Sequence, residues 1–109
     1  MIRVTFYKKL EAGYFGFCFK GHAGYAEAGR DIVCAAVSAL CINTINSIEA
    51  FTKDTFQLES NEKTGMVRLK FTGEISKESK LLMDSLKLGL EKIEQDNYTK
   101  YLSVTTREV

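Results

Sequence analysis

The sequence predicts an α/β protein, a two-layer sandwich in which two helices cover one face of a five-stranded mixed sheet. The first observation is the order of its segments, because stretches of period two and stretches of helical period follow one another as ββαββαβ. The second is the alternation of apolar and polar residues in each strand-like segment, which favours one covered face, with helices on both faces as the alternative. The third is composition: 109 residues with 45% hydrophobic side chains suit one domain, residues 1–109.

The chain begins with a predicted β-hairpin. Its two half-buried strands carry apolar residues at every second position, namely Ile2, Val4 and Phe6, then Phe15, Phe17 and Phe19. The connecting residues KKLEAG end in glycine, which suits a tight reversal of the chain. We therefore expect two neighbouring antiparallel strands.

The first helix is predicted from Asp31 to about Thr52. Its first three turns are apolar nearly all round, and the remainder narrows to a stripe of Ile45, Ile48 and Phe51. Asp31 is the expected N-cap, since aspartate accepts hydrogen bonds from the unpaired N–H groups of a first turn. This pattern predicts a buried helix.

A second hairpin, a second helix and a fifth strand complete the prediction. The segments DTFQLES and MVRLKF flank the turn NEKTG, and the residues expected to face inward are Phe56, Leu58, Val67, Leu69 and Phe71. Ser76 is expected to cap a helix that runs to about Gln95 with a leucine-rich stripe. The segment NYTKYLSV is predicted to be the last strand.

Charge and composition exclude several classes of function. The net charge of +1 gives no general attraction for nucleic acid, whose recognition would need a clustered basic patch. Uninterrupted apolar runs fall short of the roughly 18 residues of a membrane span. The first ten residues alternate like a strand and lack the features of a signal peptide. We therefore expect a cytoplasmic protein with no membrane contact and no direct nucleic-acid binding.

The candidate active site lies in the stretch GHAGYAEAGRDIVCAAVSAL, residues 21–40. His22, the only histidine in the sequence, directly follows the second strand, and Cys34 is the third residue of the first helix. The unpaired N–H groups and dipole of a helix start stabilise a thiolate, and a nearby imidazole would accept the thiol proton. The glycines that make the intervening loop easy to bend are Gly21, Gly24 and Gly29.

A structural interpretation of the same residues competes with the catalytic one. A cysteine among small apolar residues of a helix is often a core residue, and a histidine beside a glycine turn is often only solvated. Cys18 and Cys41 are expected to be structural thiols, because a cytoplasmic chain seldom forms disulfides. No CxxC pair, second histidine or phosphate-binding glycine motif is present, so no metal or cofactor is expected.

The pattern Gly-His-Ala, a glycine-containing loop, and then Gly-Arg-Asp-Ile-Val-Cys-Ala-Ala-Val-Ser resembles the ribosomal-processing cysteine protease Prp family. The length and the order of elements are similar over essentially the whole chain. The resemblance implies a cytoplasmic, commonly dimeric endopeptidase that removes the N-terminal extension of a large-subunit ribosomal protein during ribosome assembly. It implies that His22 and Cys34 are the catalytic pair, and that the substrate groove is apolar.

Supporting roles follow for other residues of the stretch. Asp31 is a candidate for orienting His22 as well as for capping the helix, and Ser38 lies one turn beyond Cys34 on the same face. Main-chain N–H groups at the helix start, including that of Cys34, are the expected oxyanion donors. Tyr25 and the glycines Gly21, Gly24 and Gly29 belong to a loop that is expected to close over the substrate.

The alternative function is a non-enzymatic ribosome-assembly module that binds a ribosomal protein or RNA. Its stacking surface would be formed by tyrosines with nearby lysines, namely Tyr7, Tyr14, Tyr98 and Tyr101. A thiol redox protein is a third hypothesis, which lacks a resolving cysteine near Cys34 in the helix.

Overall fold

Two hairpins and a C-terminal strand form the sheet of the protein. The computed structural model describes residues 1–27, 29–96 and 98–109, so that Ala28 in the predicted loop and Asn97 at the start of the predicted last strand lie outside it. The first hairpin pairs β1 (Ile2–Lys9) with β2 (Gly13–Lys20), and the second pairs β3 (Phe56–Asn61) with β4 (Met66–Phe71). β5 (Leu102–Glu108) runs parallel to β1. The sheet is mixed, in the order β3-β4-β2-β1-β5.

Both helices begin where the sequence predicts. α1 (Ile32–Phe51) starts after its N-cap Asp31, and α2 (Lys77–Gln95) starts after its N-cap Ser76. The inward residues of the helices and of the strands form one apolar cluster, whose largest members include Phe6, Phe17 and Ile48. The predicted two-layer sandwich with a five-stranded mixed sheet is confirmed.

The sequence predicts that inward and outward residues alternate along the whole of β2, but this alternation is interrupted near the start of the strand. The register of β1 with β2 shifts between Tyr7 and Lys8, which is a β-bulge. As a result Tyr14 points into the core, and its hydroxyl donates a hydrogen bond to Asp84 of α2 at 2.5 Å. Phe15 lies beneath the ammonium groups of lysines on the opposite, uncovered side of the sheet.

Three details differ from the sequence prediction, and they lie at an edge strand, at a helix end and at the start of the last strand. Leu58 is 49% exposed, since β3 is an edge strand that extends beyond the helical layer. Phe51 is 74% exposed as the last residue of α1. The last strand occupies Leu102–Glu108, several residues after the predicted start, because the chain turns at 98–101 before pairing with β1.

Helix α1 is not buried on all sides, contrary to prediction. Its length and mean hydropathy of 1.5 would suit a membrane span, a test that core helices also pass. Val33, Val37 and Ile48 pack into the core, whereas Ile32 and Ile42 are more than half exposed. One apolar side of α1 therefore faces away from the rest of the domain.

Candidate active site

Cys34 lies in the first turn of α1 and is half-buried, with its thiol beside the loop that follows β2. The backbone N–H of Ala23 lies 3.3 Å from Sγ of Cys34 and is directed at it. A backbone donor beside the sulfur and a position at a helix start are features of nucleophilic cysteines. The sequence places Cys34 at this helix position, but it does not indicate the Ala23 donor.

His22 is exposed and stands between two other chain segments. Its carbonyl oxygen accepts a 2.7 Å hydrogen bond from the amine of Met1, and its ring Nε2 lies 3.4 Å from the carbonyl oxygen of Lys63 in the β3–β4 turn. If Nε2 carries the proton and donates it to this carbonyl, Nδ1 is left as a proton acceptor. This is the tautomer that a general base requires.

The two predicted catalytic residues share one cleft. It has a volume of about 250 Å³ and runs between α1 and the β3–β4 hairpin, and both His22 and Cys34 line it. In the described parts of the chain no hydrogen bond joins the His22 ring to the Cys34 thiol. Catalytic hydrogen bonds are often longer before substrate binds and shorten in the complex.

The cleft is predominantly apolar beyond the two catalytic candidates. Its walls come from four strands and α1, and the apolar side chains that line it include Phe19, Val37, Ile42, Met66 and Val67. Ser38 lines this cleft as well, and it also lines a second, neighbouring opening of about 470 Å³ beside the loop. Ser38 is therefore accessible from the site, as its position one turn beyond Cys34 predicts.

Asp31 caps α1 and also ties the loop to it. Oδ1 accepts hydrogen bonds from the N–H groups of Val33 and Cys34, both at 3.0 Å, and Oδ2 accepts from those of Tyr25 at 3.0 Å and Ala26 at 3.4 Å. Burial by itself raises the pKa of the Asp31 carboxyl, but these donors hold the pKa below its ordinary value.

The hydrogen bonds of Asp31 correct two of the sequence-based expectations. Within the described residues both of its oxygens bond to backbone N–H groups and neither bonds to His22, so the structure supports the cap and not the orienting role. The N–H of Cys34 already donates to Asp31, and that of Ala35 donates to the Asp31 carbonyl at 3.0 Å. The N–H groups of Val33, Cys34 and Ala35 are therefore occupied, and in this conformation that of Cys34 is not free to act as the expected oxyanion donor.

The loop glycines adopt the backbone conformations that their residue type permits. Gly21, Gly24 and Gly29 have φ angles of 95°, 73° and 86°, which side-chain-bearing residues rarely adopt. Gly21 lines the apolar cleft, while Gly24 and Gly29 line the neighbouring opening. All three stand where the sequence analysis placed them, around the candidate site.

Tyr25, the aromatic residue of the loop that is expected to close over the substrate, does not line the cleft in this conformation. Its ring packs edge-on against Tyr98 and Tyr101, with centroid distances of 5.9 and 5.1 Å, and its backbone is held by Asp31. Aromatic pairs of this geometry stabilise a packed arrangement. Tyr25 therefore anchors the loop to the segment before β5.

The β3–β4 turn contributes residues that sequence reasoning missed. The N–H of Gly21 donates to the carbonyl of Thr64 at 2.9 Å, and Gly65, with φ of 67°, leaves no room for a side chain against Gly21 and the His22 ring. The sequence identifies NEKTG as a turn, but strand order alone determines that this turn meets His22. No local signal in residues 61–65 indicates that contact.

A helix-start thiol and an imidazole in one open cleft, on a small α/β sandwich, are the groups that a cysteine-dependent peptidase uses. The sequence model of the family described as "Cysteine protease Prp" matches residues 1–103, and the chain belongs to this family. The protein is therefore a cysteine protease.

Individual relatives agree with this family over most of the chain. The ribosomal processing cysteine protease Prp of Bacillus subtilis is 32% identical over 110 residues, covering 97% of each chain. The protein of the same name from Staphylococcus aureus is 28% identical over 76 residues, which are 70% of this chain and 72% of that one.

Solved structures show the same fold. The S. aureus ribosomal processing protease Prp with a covalently linked product peptide superposes with a TM-score of 0.92 at 24% identity, over 98% of this chain and 100% of that chain. The protein SMU.848 from Streptococcus mutans superposes with a TM-score of 0.85 at 26% identity, over 100% and 99%.

Proposed function

We propose that the protein is an endopeptidase that removes the N-terminal extension of a large-subunit ribosomal protein during ribosome assembly, with Cys34 as nucleophile and His22 as base. The observation that carries the catalytic assignment is the placement of both side chains in one apolar cleft, with the thiol in the first turn of α1. The ribosomal substrate is supported by relatives whose names describe ribosomal processing.

The reaction proceeds by acyl transfer through the thiol. His22 accepts the proton of Cys34, and the thiolate attacks the scissile carbonyl carbon to form a tetrahedral intermediate. The C–N bond then breaks as the imidazolium gives its proton to the leaving amine, which leaves a thioester on Cys34. His22 next takes a proton from water, and the hydroxide adds to the carbonyl carbon of the thioester. The C–S bond then breaks, the imidazolium returns its proton to the Cys34 sulfur, and the acid product leaves and ionises to the carboxylate.

The apolar cleft supplies the binding site for the substrate. Phe19, Val37 and Met66 present apolar surface close to Cys34, and burial of an apolar substrate side chain against them gives about 1.5–3 kcal/mol. An extension with large apolar residues before the cut therefore suits this cleft.

The direct test uses a peptide that spans the extension and the first residues of the mature ribosomal protein. Mass spectrometry of the products should show one internal cut with wild-type protein and an intact peptide with Cys34→Ala. Cleavage by Cys34→Ala at the wild-type rate would disprove the nucleophile, and an intact peptide with wild-type protein would disprove the substrate.

A homodimer is part of the same proposal. The exposed side of α1 presents Ile32, Ala35, Ala36 and Ala39, an apolar surface that a second copy would cover. Sedimentation equilibrium should give the mass of a dimer for wild-type protein and of a monomer for Ala39→Glu. Ser85→Glu, on an exposed position of α2, is the control that should leave the dimer intact, and a monomeric wild-type protein would contradict the proposal.

A cytoplasmic location is supported by the thiols. Cys18, Cys34 and Cys41 are all free in the structure, as suits a reducing compartment. Cell fractionation should recover the protein with cytoplasmic markers, and recovery with membranes would contradict this.

The alternative function, a non-enzymatic binding module, loses most of the tyrosine stacking surface that was predicted for it. Tyr14 is buried and bonded to Asp84, and Tyr98 and Tyr101 pack against Tyr25. These three rings are therefore engaged within the protein, and Tyr7 is the member of the predicted set that stays half-buried on the sheet.

A further inference from the structure

The face of the sheet opposite the helices carries an unusual concentration of basic residues. Alternation along each strand directs Val4, Leu69 and Leu102 into the core and their neighbours outward. This alternation, together with the contacts of two lysines with Phe15, places six exposed basic residues on the uncovered face of the sheet. They are Arg3, Lys9, Lys20, Arg68, Lys70 and Arg107. We call this surface the basic face.

Strand register brings several of these charges side by side. Arg3 of β1 is directly paired with Lys20 of β2. Like charges directly opposite each other destabilise a sheet, and neither residue has a carboxylate within 4.0 Å in the described ranges of the chain. The pair is thus a local electrostatic cost that a bound anion would remove.

A second cluster on the basic face combines cations with an aromatic ring. Nζ of Lys9 lies 4.5 Å and Nζ of Lys70 lies 5.3 Å from the ring centroid of Phe15. The β-bulge places Phe15 on this side, and Tyr7 lies beside Arg107 in the register of β1 with β5. The rings of Tyr7 and Phe15 are half-buried. In proteins that bind single-stranded nucleic acid, aromatic rings stack on bases and the surrounding lysines and arginines bind phosphates.

Acidic residues are nearly excluded from the same surface. Glu59 is the acidic strand residue that the register places there, and it lies 3.7 Å from Arg68. Glu11 and Glu74 stand at the rim, beside the loops that border the end of the sheet. The net charge of +1 therefore averages a basic sheet face with connecting segments that carry more acidic than basic residues, and it conceals the clustered patch that nucleic-acid recognition needs.

We propose that the basic face binds a strand of RNA, chiefly through its phosphate backbone. Charge complementarity requires a polyanion, and the choice of RNA rests on the proposed ribosomal function. The face lies on the opposite side of the sheet from the helices, so bound RNA leaves the apolar cleft open. Lys20 is the last residue of β2 and stands two residues before His22, so one end of the basic face lies next to the catalytic site. This reverses the expectation of no nucleic-acid contact, which was drawn from net charge alone.

Fluorescence anisotropy with a labelled oligouridylate of about 20 nucleotides tests the proposal. The full-length protein should bind it, and three or four phosphate contacts predict that affinity falls roughly 20-fold to 50-fold between about 50 and 200 mM salt. The combined variant Arg3→Gln, Lys70→Gln and Arg107→Gln should lose at least about tenfold in affinity and about two units of the salt slope.

A matched variant separates the basic face from overall charge. Lys53→Gln, Lys77→Gln and Lys92→Gln remove the same charge from exposed positions in α2 and after α1, and should change affinity less than about twofold. Equal losses in the two triple variants, or the absence of salt-dependent binding by wild-type protein, would overturn the proposal. Binding of polyglutamate as tight as that of the RNA would assign the face to an acidic protein instead.

Peptide cleavage by the same samples keeps this proposal distinct from the proposed function. The basic-face variant should cleave the free peptide at the wild-type rate, because none of its three substitutions lines the cleft. Wild-type protein that cleaves the peptide without binding RNA would refute only the RNA face, whereas binding without cleavage would refute only the peptidase proposal.

Discussion

Each of the two helices carries a thiol or hydroxyl side chain at its third position, but only the thiol lines a cleft that a substrate could enter. Cys34 is the third residue after the N-cap Asp31, and Ser79 is the third residue after the N-cap Ser76. Cys34 faces the apolar cleft, whereas Ser79 is 0% exposed and donates its hydroxyl hydrogen bond to Asp54.

The carboxylates at the two helix starts explain this difference. Asp54 accepts hydrogen bonds from the backbone N–H of Ser76 at 2.9 Å and from the hydroxyls of Ser76 and Ser79, which closes the start of α2. Asp31 accepts hydrogen bonds from four backbone N–H groups, and the Cys34 sulfur has a donor of its own in the N–H of Ala23. Asp54 therefore holds the third side chain of α2, whereas the third side chain of α1 lines the cleft.

The largest expected effect is the loss of cleavage in Cys34→Ala. Removal of the nucleophile should lower kcat about 10⁴-fold or more, since the acyl-enzyme can no longer form. Ser79→Ala is the matched substitution and should retain peptide cleavage while lowering the melting temperature. Inactivity of a folded Ser79→Ala protein would show that the two helix starts are not functionally distinct.

His22→Ala should follow, with a decrease in kcat of about 10²- to 10⁴-fold from the loss of the base. The side chain is exposed, so circular dichroism and thermal unfolding should stay near those of wild-type protein. A rate within threefold of wild type would remove His22 from the mechanism and leave the thiol without its proton acceptor.

Thiol alkylation compares the three cysteines in one protein. Iodoacetamide at neutral pH should modify Cys34 more than about tenfold faster than Cys18 or Cys41, as followed by peptide mass spectrometry. Cys18 and Cys41 are buried, and burial raises the pKa of the Cys41 thiol to about 12. Equal labelling of all three would mean that the α1 start is not preorganised.

Substitution of the aspartates at the two helix starts should have similar effects on stability and different effects on cleavage. Asp31→Asn and Asp54→Asn should each lower the free energy of unfolding by about 1–2 kcal/mol, because a charged acceptor of several donors is lost. Only Asp31→Asn should also slow cleavage, since Asp31 holds Tyr25 and Ala26 of the loop. Equal cleavage rates in the two variants would contradict this difference.

Unfolding at acidic pH tests whether the hydrogen bonds of Asp31 and Asp54 stabilise the folded protein through their ionised carboxylates. Hydrogen bonds hold the pKa values of Asp31 and Asp54 below the ordinary carboxyl value, although burial opposes this shift. Their stabilisation is therefore complete above the unfolded-state pKa and is lost as the pH falls through the folded-state pKa. Each Asn variant should show a shallower decrease of stability over this acidic range, measured by urea unfolding.

The smallest effect is expected for Gly65, in the β3–β4 turn, which contacts Gly21 and the ring of His22. Gly65→Ala should cost about 1 kcal/mol of stability, from its positive φ and its contact with Gly21, and should reduce kcat a few-fold by displacing His22. Gly73→Ala is the control, because open space surrounds Gly73, and it should change stability by less than about 0.5 kcal/mol. Equal effects of the two substitutions would argue that the turn does not position His22.

Sequence reasoning was most accurate where local chemistry decides the structure. Asp31 and Ser76 cap the helices as predicted, because an N-cap acts within three residues of its own position. It failed for Phe15, Leu58 and Tyr25, whose surroundings depend on a bulge, a sheet edge and a distant aromatic pair. Such features involve residues far apart in the chain and leave no periodic signal.

The sequence by itself determined the order of the elements, the helix start at Asp31 and the positions of His22 and Cys34 beside a glycine loop. These follow from hydrophobic periodicity and from side-chain hydrogen bonds over short chain distances. Only the tertiary structure decided that Ala23 donates to the thiol, that Lys63 and Gly65 adjoin His22, and that basic residues share one face. Strand order and register set these contacts, because they bring together residues that the chain separates by up to a hundred positions.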